Sequence, residues 1–122
     1  MDETTETAPQ PKKRGKTKRA TLAERFMEHH KAHPWVYTAF KYHADRLRRR
    51  GHEHLSALYI CYYLSFETPA DMRPDVDWKI DHDFGPFYAR MLRAEDETYG
   101  ALFEYRPSQA DGVDLAALVR AA

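Results

Sequence analysis

One cysteine, five glycines and no long apolar run are the first things this chain of 122 residues is short of. A lone Cys61 cannot form an internal disulfide, which fits a reducing compartment. It stands inside LYICYYL, so it reads as a buried, inert thiol rather than a nucleophile. One cysteine also cannot supply the paired Cys/His ligands of a structural zinc site. Five glycines leave no glycine-rich phosphate loop, and neither HExxH nor a Ser/His/Asp motif occurs, so no cofactor, metal or catalytic residue is expected. No segment approaches the ~20 apolar residues of a membrane span, and residues 1–20 are polar rather than signal-like. A soluble, cytoplasmic protein with no membrane partner is the expectation.

What is present is aromatic and unevenly charged. Eight Tyr, six Phe and two Trp supply one modest core. The formal net charge is zero, yet residues 12–50 carry 13 Lys/Arg against three Asp/Glu, a net of +10. Residues 51–122 carry six against 13, a net of −7. Such a division points to a polyanionic partner for the basic half, or to attraction between the halves.

Residues 1–20 hold almost nothing that could be buried and are expected to be a disordered tail. Within them Lys12, Lys13, Arg14, Lys16, Lys18 and Arg19 gather six positive charges in eight residues. Such a run binds phosphate backbones by counterion release without reading sequence. Thr21-Leu-Ala-Glu24 is a capping box opening a first helix over 22–31. Pro34 then separates it from a second helix, whose stripe is Val36, Ala39, Phe40, His43, Ala44 and Leu47. His43 is expected as a hydrogen-bonded core residue. Arg46, Arg48, Arg49 and Arg50 close this helix and Gly51 stops it. Three successive arginines exceed what a helix end needs.

Residues 55–66 are apolar all round and predict a buried third helix, with room for a homodimer seam. A polar connection follows over 67–83. Asp83 is expected to cap a fourth helix with Pro86 in its first turn and Phe84, Phe87, Tyr88, Met91 and Leu92 inward. Arg90 and Arg93 would share its outer face. LFEYR at 102–106 alternates as a short strand would, and from 108 onward a loose tail is expected, with a short helix near 113–119. The fold class is thus mainly α: about four helices with a short C-terminal β segment, in the order of a winged helix-turn-helix, the domain covering 21–107.

Asp75-Val-Asp77 suggests calcium, but Lys79, Ile80 and Pro86 stand where an EF-hand loop needs an oxygen ligand, a glycine and a glutamate. A solvated acidic loop is the better reading. His52-Glu53-His54 and Asp81-His82-Asp83 place imidazoles close together, but nothing in the sequence brings the two groups to one point.

Several landmarks resemble a family of small uncharacterised proteins encoded by bacteriophages and prophages. They are Phe26 with His29, His33-Pro34-Trp35-Val36-Tyr37, Phe66-Glu67-Thr68, Trp78-Lys79-Ile80, Phe87-Tyr88-Ala89-Arg90 and Leu102-Phe103-Glu104-Tyr105-Arg106. The resemblance covers residues 26–106 and implies a phage origin, a bacterial host cytoplasm and a winged-helix-like arrangement, without a known activity. It departs at Asp81-His82-Asp83, where relatives tend to carry asparagines suited to base edges.

The expected role is non-catalytic binding of nucleic acid, DNA rather than RNA. It rests on the six basic residues of 12–19 and on Arg46, Arg48, Arg49 and Arg50, with Arg90 and Arg93 as auxiliaries. The alternative is a module that binds a host or phage protein through the acidic half.

Overall fold

The computed structural model describes residues 20–75 and 77–121. Lys12, Lys13, Arg14, Lys16, Lys18 and Arg19 lie outside them, as does all of the expected tail but Ala20. The described residues form α1 (Leu22–Ala32), α2 (Trp35–Arg49), α3 (Ala57–Glu67), α4 (Gly85–Glu95) and α5 (Leu115–Ala121), joined by short 3-10 turns. The mainly α expectation holds.

Local chemistry places the ends. Thr21 accepts from the Glu24 amide while Glu24 returns a bond to the Thr21 amide, the reciprocal capping box read from the sequence. Pro34 precedes α2, and Gly51 ends it with φ at 98°. The amide of Gly51 donates to Arg48 O and that of His52 to Leu47 O, the two bonds of a Schellman motif. Only a residue without Cβ takes that left-handed position at little cost. Ser56 caps α3 through the Tyr59 amide.

Asp83 does not cap α4. Instead Asp81 accepts from the Asp83 amide and closes a 3-10 turn, His82–Phe84, that runs directly into α4. Pro86 occupies the first turn, where its missing N–H costs nothing.

α4 is the central element, touching α2, α3 and α5. Its Phe87, Tyr88, Met91 and Leu92 are all buried. Phe26 of α1 stacks on Phe87 with ring centroids 4.5 Å apart and meets Phe84 and Tyr88 edge-on. Phe40 of α2 stacks on Tyr88 and on Phe103, so three aromatic layers join α1, α2 and α4. Cys61 is fully buried, and that burial pushes its thiol up to about 12. The thiol therefore stays protonated and packs as a small apolar group.

α3 and α4 meet backbone to backbone at Gly85. A Cβ there would lie 3.0 Å from Ala57 Cβ and 3.3 Å from its carbonyl carbon. Neither neighbour is the end of a flexible chain, so Gly85→Ala should force α3 outward and lower stability by ~1–3 kcal/mol, measured by urea unfolding. An unchanged midpoint would show that the helices slide apart freely.

Three further expectations are corrected. Residues 102–106 are no strand, and among the described residues there is none to build a wing. Phe103 is buried and Tyr105 half-buried, but the Tyr105 hydroxyl bonds to Ala89 O and Tyr99 O within the helical layer. One backbone bond, Leu55 N to Leu102 O at 2.8 Å, is all that crosses from this segment to residue 55. The segment from 108 is not loose either. Ser108 and Asp111 form a second capping box, Ala110 and Leu115 are buried, and α5 packs on α4. Finally, α3 is not buried all round: Ile60, Cys61 and Leu64 face inward, while Leu58, Tyr59, Tyr62 and Phe66 are exposed.

Candidate nucleic-acid interface

The arginines expected to meet phosphate divide into three groups. Arg90 is structural. Only 6% of it is exposed, and its Nε donates to Asp111 Oδ1 at 2.8 Å. Its two Nη atoms donate to Pro86 O at 3.1 Å and Arg106 O at 2.6 Å. With every nitrogen engaged, it cannot reach a ligand, and the expectation of a nucleic-acid contact at Arg90 is withdrawn. It does share a face with Arg93, both guanidinium groups lying over the Tyr105 ring, at 5.5 and 4.2 Å, but Arg93 is exposed where Arg90 is buried. Residue 93 remains available to a polyanion through its outer edge.

The third group closes α2. Arg49 Nε donates to Asp45 Oδ2 at 2.6 Å across one helical turn, and Arg48 stands 3.7 Å from Asp96 while its guanidinium covers the Tyr99 ring at 4.8 Å. Arg46 lies over the Tyr42 ring at 5.9 Å. Neither Arg46 nor Arg50 pairs with a carboxylate among the described residues. The carbonyls of Arg46, Leu47 and Arg48 accept from the backbone amides of residues 50 to 52, so no arginine side chain is needed to cap these three. The two existing pairs are solvent-exposed, and exposed pairs hold their partners weakly. A polyanion that releases counterions can displace them.

Electrostatics set limits around this cluster. Residues 20–121 hold 13 Lys/Arg and 16 Asp/Glu, a net of −3, so the positive end of α2 is local. Beside it a hollow of about 880 Å³ opens between α2 and the 3-10 turn Glu97–Ala101, lined by Lys41, Asp45, Glu95, Asp96 and Glu97. There Lys41 Nζ and Tyr37 Oη both donate to Glu95, at 2.7 and 2.6 Å. The Lys41 bond, and then the Tyr37 bond, hold the Glu95 carboxyl below its ordinary range. Four carboxylates meet one ammonium in its lining, and Arg48 and Arg49 at its rim pair with two of them, Asp96 and Asp45.

The histidines form no ligand set. Among the described residues no three His, Cys, Asp or Glu side chains converge as a metal site would require. His43 is buried against Tyr63, ring centroids 4.1 Å apart, and neither of its nitrogens has a partner in the protein. The expected hydrogen bond is absent, and stacking fixes the ring instead. His29, His33, Trp35 and Trp78 make a second aromatic group at the end of α1.

Comparison of the chain with protein-family models, with curated proteins and with solved structures finds no match. Function therefore rests on the geometry.

Proposed function

We propose that this chain is a small, non-catalytic, phage-type protein that binds nucleic acid, duplex DNA in preference to RNA. The surface consists of the arginines ending α2 and the six basic residues of 12–19, with Arg93 auxiliary. One observation carries the reading. Four arginines stand in the last turn of α2 and at its C-cap, and two of them, Arg46 and Arg50, pair with no carboxylate among the described residues. Binding of this kind positions backbones and does not read bases. The packing of α4 agrees with that, because Phe87 to Leu92 are buried in the domain and the helix is not free to enter a groove.

Fluorescence anisotropy with a labelled duplex over a range of salt tests it. Each phosphate contact contributes a log–log slope of about 0.9. Arg46→Ala with Arg50→Ala should lower the slope by roughly two contacts and weaken all sequences alike. Affinity that is indifferent to salt contradicts the proposal.

A further inference from the structure

Three rings gather where α3 meets the second half of α2. His43 stacks on Tyr63 with centroids 4.1 Å apart and planes 8° from parallel. Tyr59 stands beside both, 6.4 Å from His43 and 6.2 Å from Tyr63, tilted by 33° and 26°. His43 is buried and Tyr63 half-buried, but Tyr59 is 54% exposed. The two inner rings thus hold the third at the surface. Leu58, Tyr59, Tyr62 and Phe66 form an exposed ridge along α3, and Tyr59 is the member whose ring lies beside α2.

The same flank of α2 carries its open arginines. Arg46 follows His43 by three residues and Arg50 by seven, spacings that put all three on one side of a helix. Both arginines are exposed, and neither pairs with a carboxylate among the described residues. They stand one turn apart, about 6 Å along the axis, close to the step between successive phosphates of an extended strand. The carboxylates of the hollow belong instead to the flank of α2 that carries Lys41 and Asp45.

We infer that this corner of the molecule takes an unpaired nucleotide, with its base on Tyr59 and the neighbouring phosphates on Arg46 and Arg50. The inference rests on the reading of these arginines as phosphate contacts and names the form of DNA that suits them. A guanidinium alone is satisfied by any phosphate backbone. A flat exposed ring beside it finds no free base on a duplex, whose bases are stacked inside. In an unpaired strand the base next to a bound phosphate is free to turn onto the ring. Proteins that hold single strands combine cations along the backbone with aromatic rings under the bases, and every base has a face to offer. An apolar partner would cover the ring but leave both arginines unmatched. Duplex ends and gaps, which present both forms of DNA, are the substrates this corner favours.

A labelled duplex of about 20 base pairs is compared blunt, with a single-stranded overhang of about six nucleotides, and with the same overhang made abasic. The abasic strand keeps every phosphate and removes every base. The full chain should bind the base-bearing overhang roughly fivefold or more tighter than the abasic one. Tyr59→Leu, which keeps an apolar side chain and removes the ring, should erase that difference, whereas Tyr59→Phe should retain it. A 5-iodouracil placed in the overhang should crosslink to Tyr59 on irradiation, a readout that needs no variant to fold. Equal binding of the two overhangs, alongside salt-sensitive binding of the blunt duplex, overturns the inference and leaves the role of the arginines standing. Absence of binding to all three DNAs removes both. A preference that survives Tyr59→Leu, or crosslinking confined to other residues, places the bases elsewhere and overturns the inference as well.

Discussion

Replacing Arg90 by alanine is expected to unfold this protein more readily than any other single change at a charged position. The guanidinium ties α4 to the segment that follows residue 105: Asp111, the Arg106 carbonyl and the Pro86 carbonyl all accept from it. Truncation leaves those acceptors short of donors and opens a void beside Tyr105, whose ring the guanidinium faces at 5.5 Å. Asp111 is half exposed and can turn to water, so the loss falls on the two carbonyls and the packing, about 2–3 kcal/mol, or a fall of roughly 10 °C in Tm for a domain of this size. Arg90→Lys keeps the charge but cannot serve three acceptors in a plane, and should recover less than half of the loss. α5 should fray first, so amide exchange in Leu115–Ala121 should rise before that in α2. Uniform loss of protection would mean that Arg90 secures the whole domain rather than its C-terminal layer. A thermal midpoint within about 2 °C of the parent would contradict the account. The Arg93→Ala change three residues on serves as the contrast and should cost little, its guanidinium being exposed.

Acid should destabilise the fold well above the range in which carboxylates titrate. Burial, and then the neighbouring His33 and His30, lower the pKa of His29 from 6.5 to about 4, while Asp81 opposes the shift. Burial also lowers His30, and burial followed by Arg46 lowers His43. A histidine whose folded pKa lies below its unfolded value binds its proton more readily once unfolded. Stability from these groups is therefore intact above about pH 6.5 and declines as pH falls, for His29 down to about pH 4. With solvent screening of its half-buried ring, His29 alone should account for on the order of 1–2 kcal/mol across that window. His30 and His43 act in the same direction. Thermal midpoints taken from pH 7 to pH 4 should fall by several degrees in total. His43→Phe, which keeps the stack on Tyr63 and removes two unpartnered nitrogens, should flatten the slope. A midpoint independent of pH above 4.5 would contradict the assignment of these rings as neutral in the fold. Below that range Asp111, held low by the Ser108 amide and then by Arg90, adds its own loss on protonation.

Much of this fold is legible in the chain because its signals are local. The Thr21/Glu24 box, the Pro34 break, the stripe of α2, Gly51 and the Pro86 start each depend on residues within one or two turns. What escapes is set by partners distant in sequence. α3 is apolar on every side, so periodicity has no direction to report; which face stays open is decided only when α2 and α4 choose the other. The alternation at 102–106 suits a strand, but a strand needs a neighbour, and Leu55 offers a single bond. Arg90 sits next to Ala89 among inward residues, yet its role depends on Asp111, 21 positions away. One signal was available and passed over: Ser108-Gln-Ala-Asp111 has the spacing of a capping box and marks the last segment as ordered.

The site follows the same division. Arg46, Arg48, Arg49 and Arg50 are recognisable as a surplus of charge at a helix end, whereas the burial of Arg90 beside an exposed Arg93 is not, since it depends on Asp111 and the Arg106 carbonyl covering one of two residues on the same face. The aromatic ridge of α3 belongs to the acidic half that the alternative reading favoured, but its residues carry no charge and so gave no electrostatic cue.

The central claim is that the arginines of this chain have two separate duties, with those ending α2 open to a polyanion and Arg90 closed to it. Titrating the isotope-labelled full chain with a duplex of about 20 base pairs, and following the Nε–H signals of the arginine side chains, tests that directly. The signals of Arg46, Arg48, Arg49 and Arg50 should move and revert on adding salt, while that of Arg90 stays where it is. Movement at Arg90, or stillness across the end of α2, would contradict it.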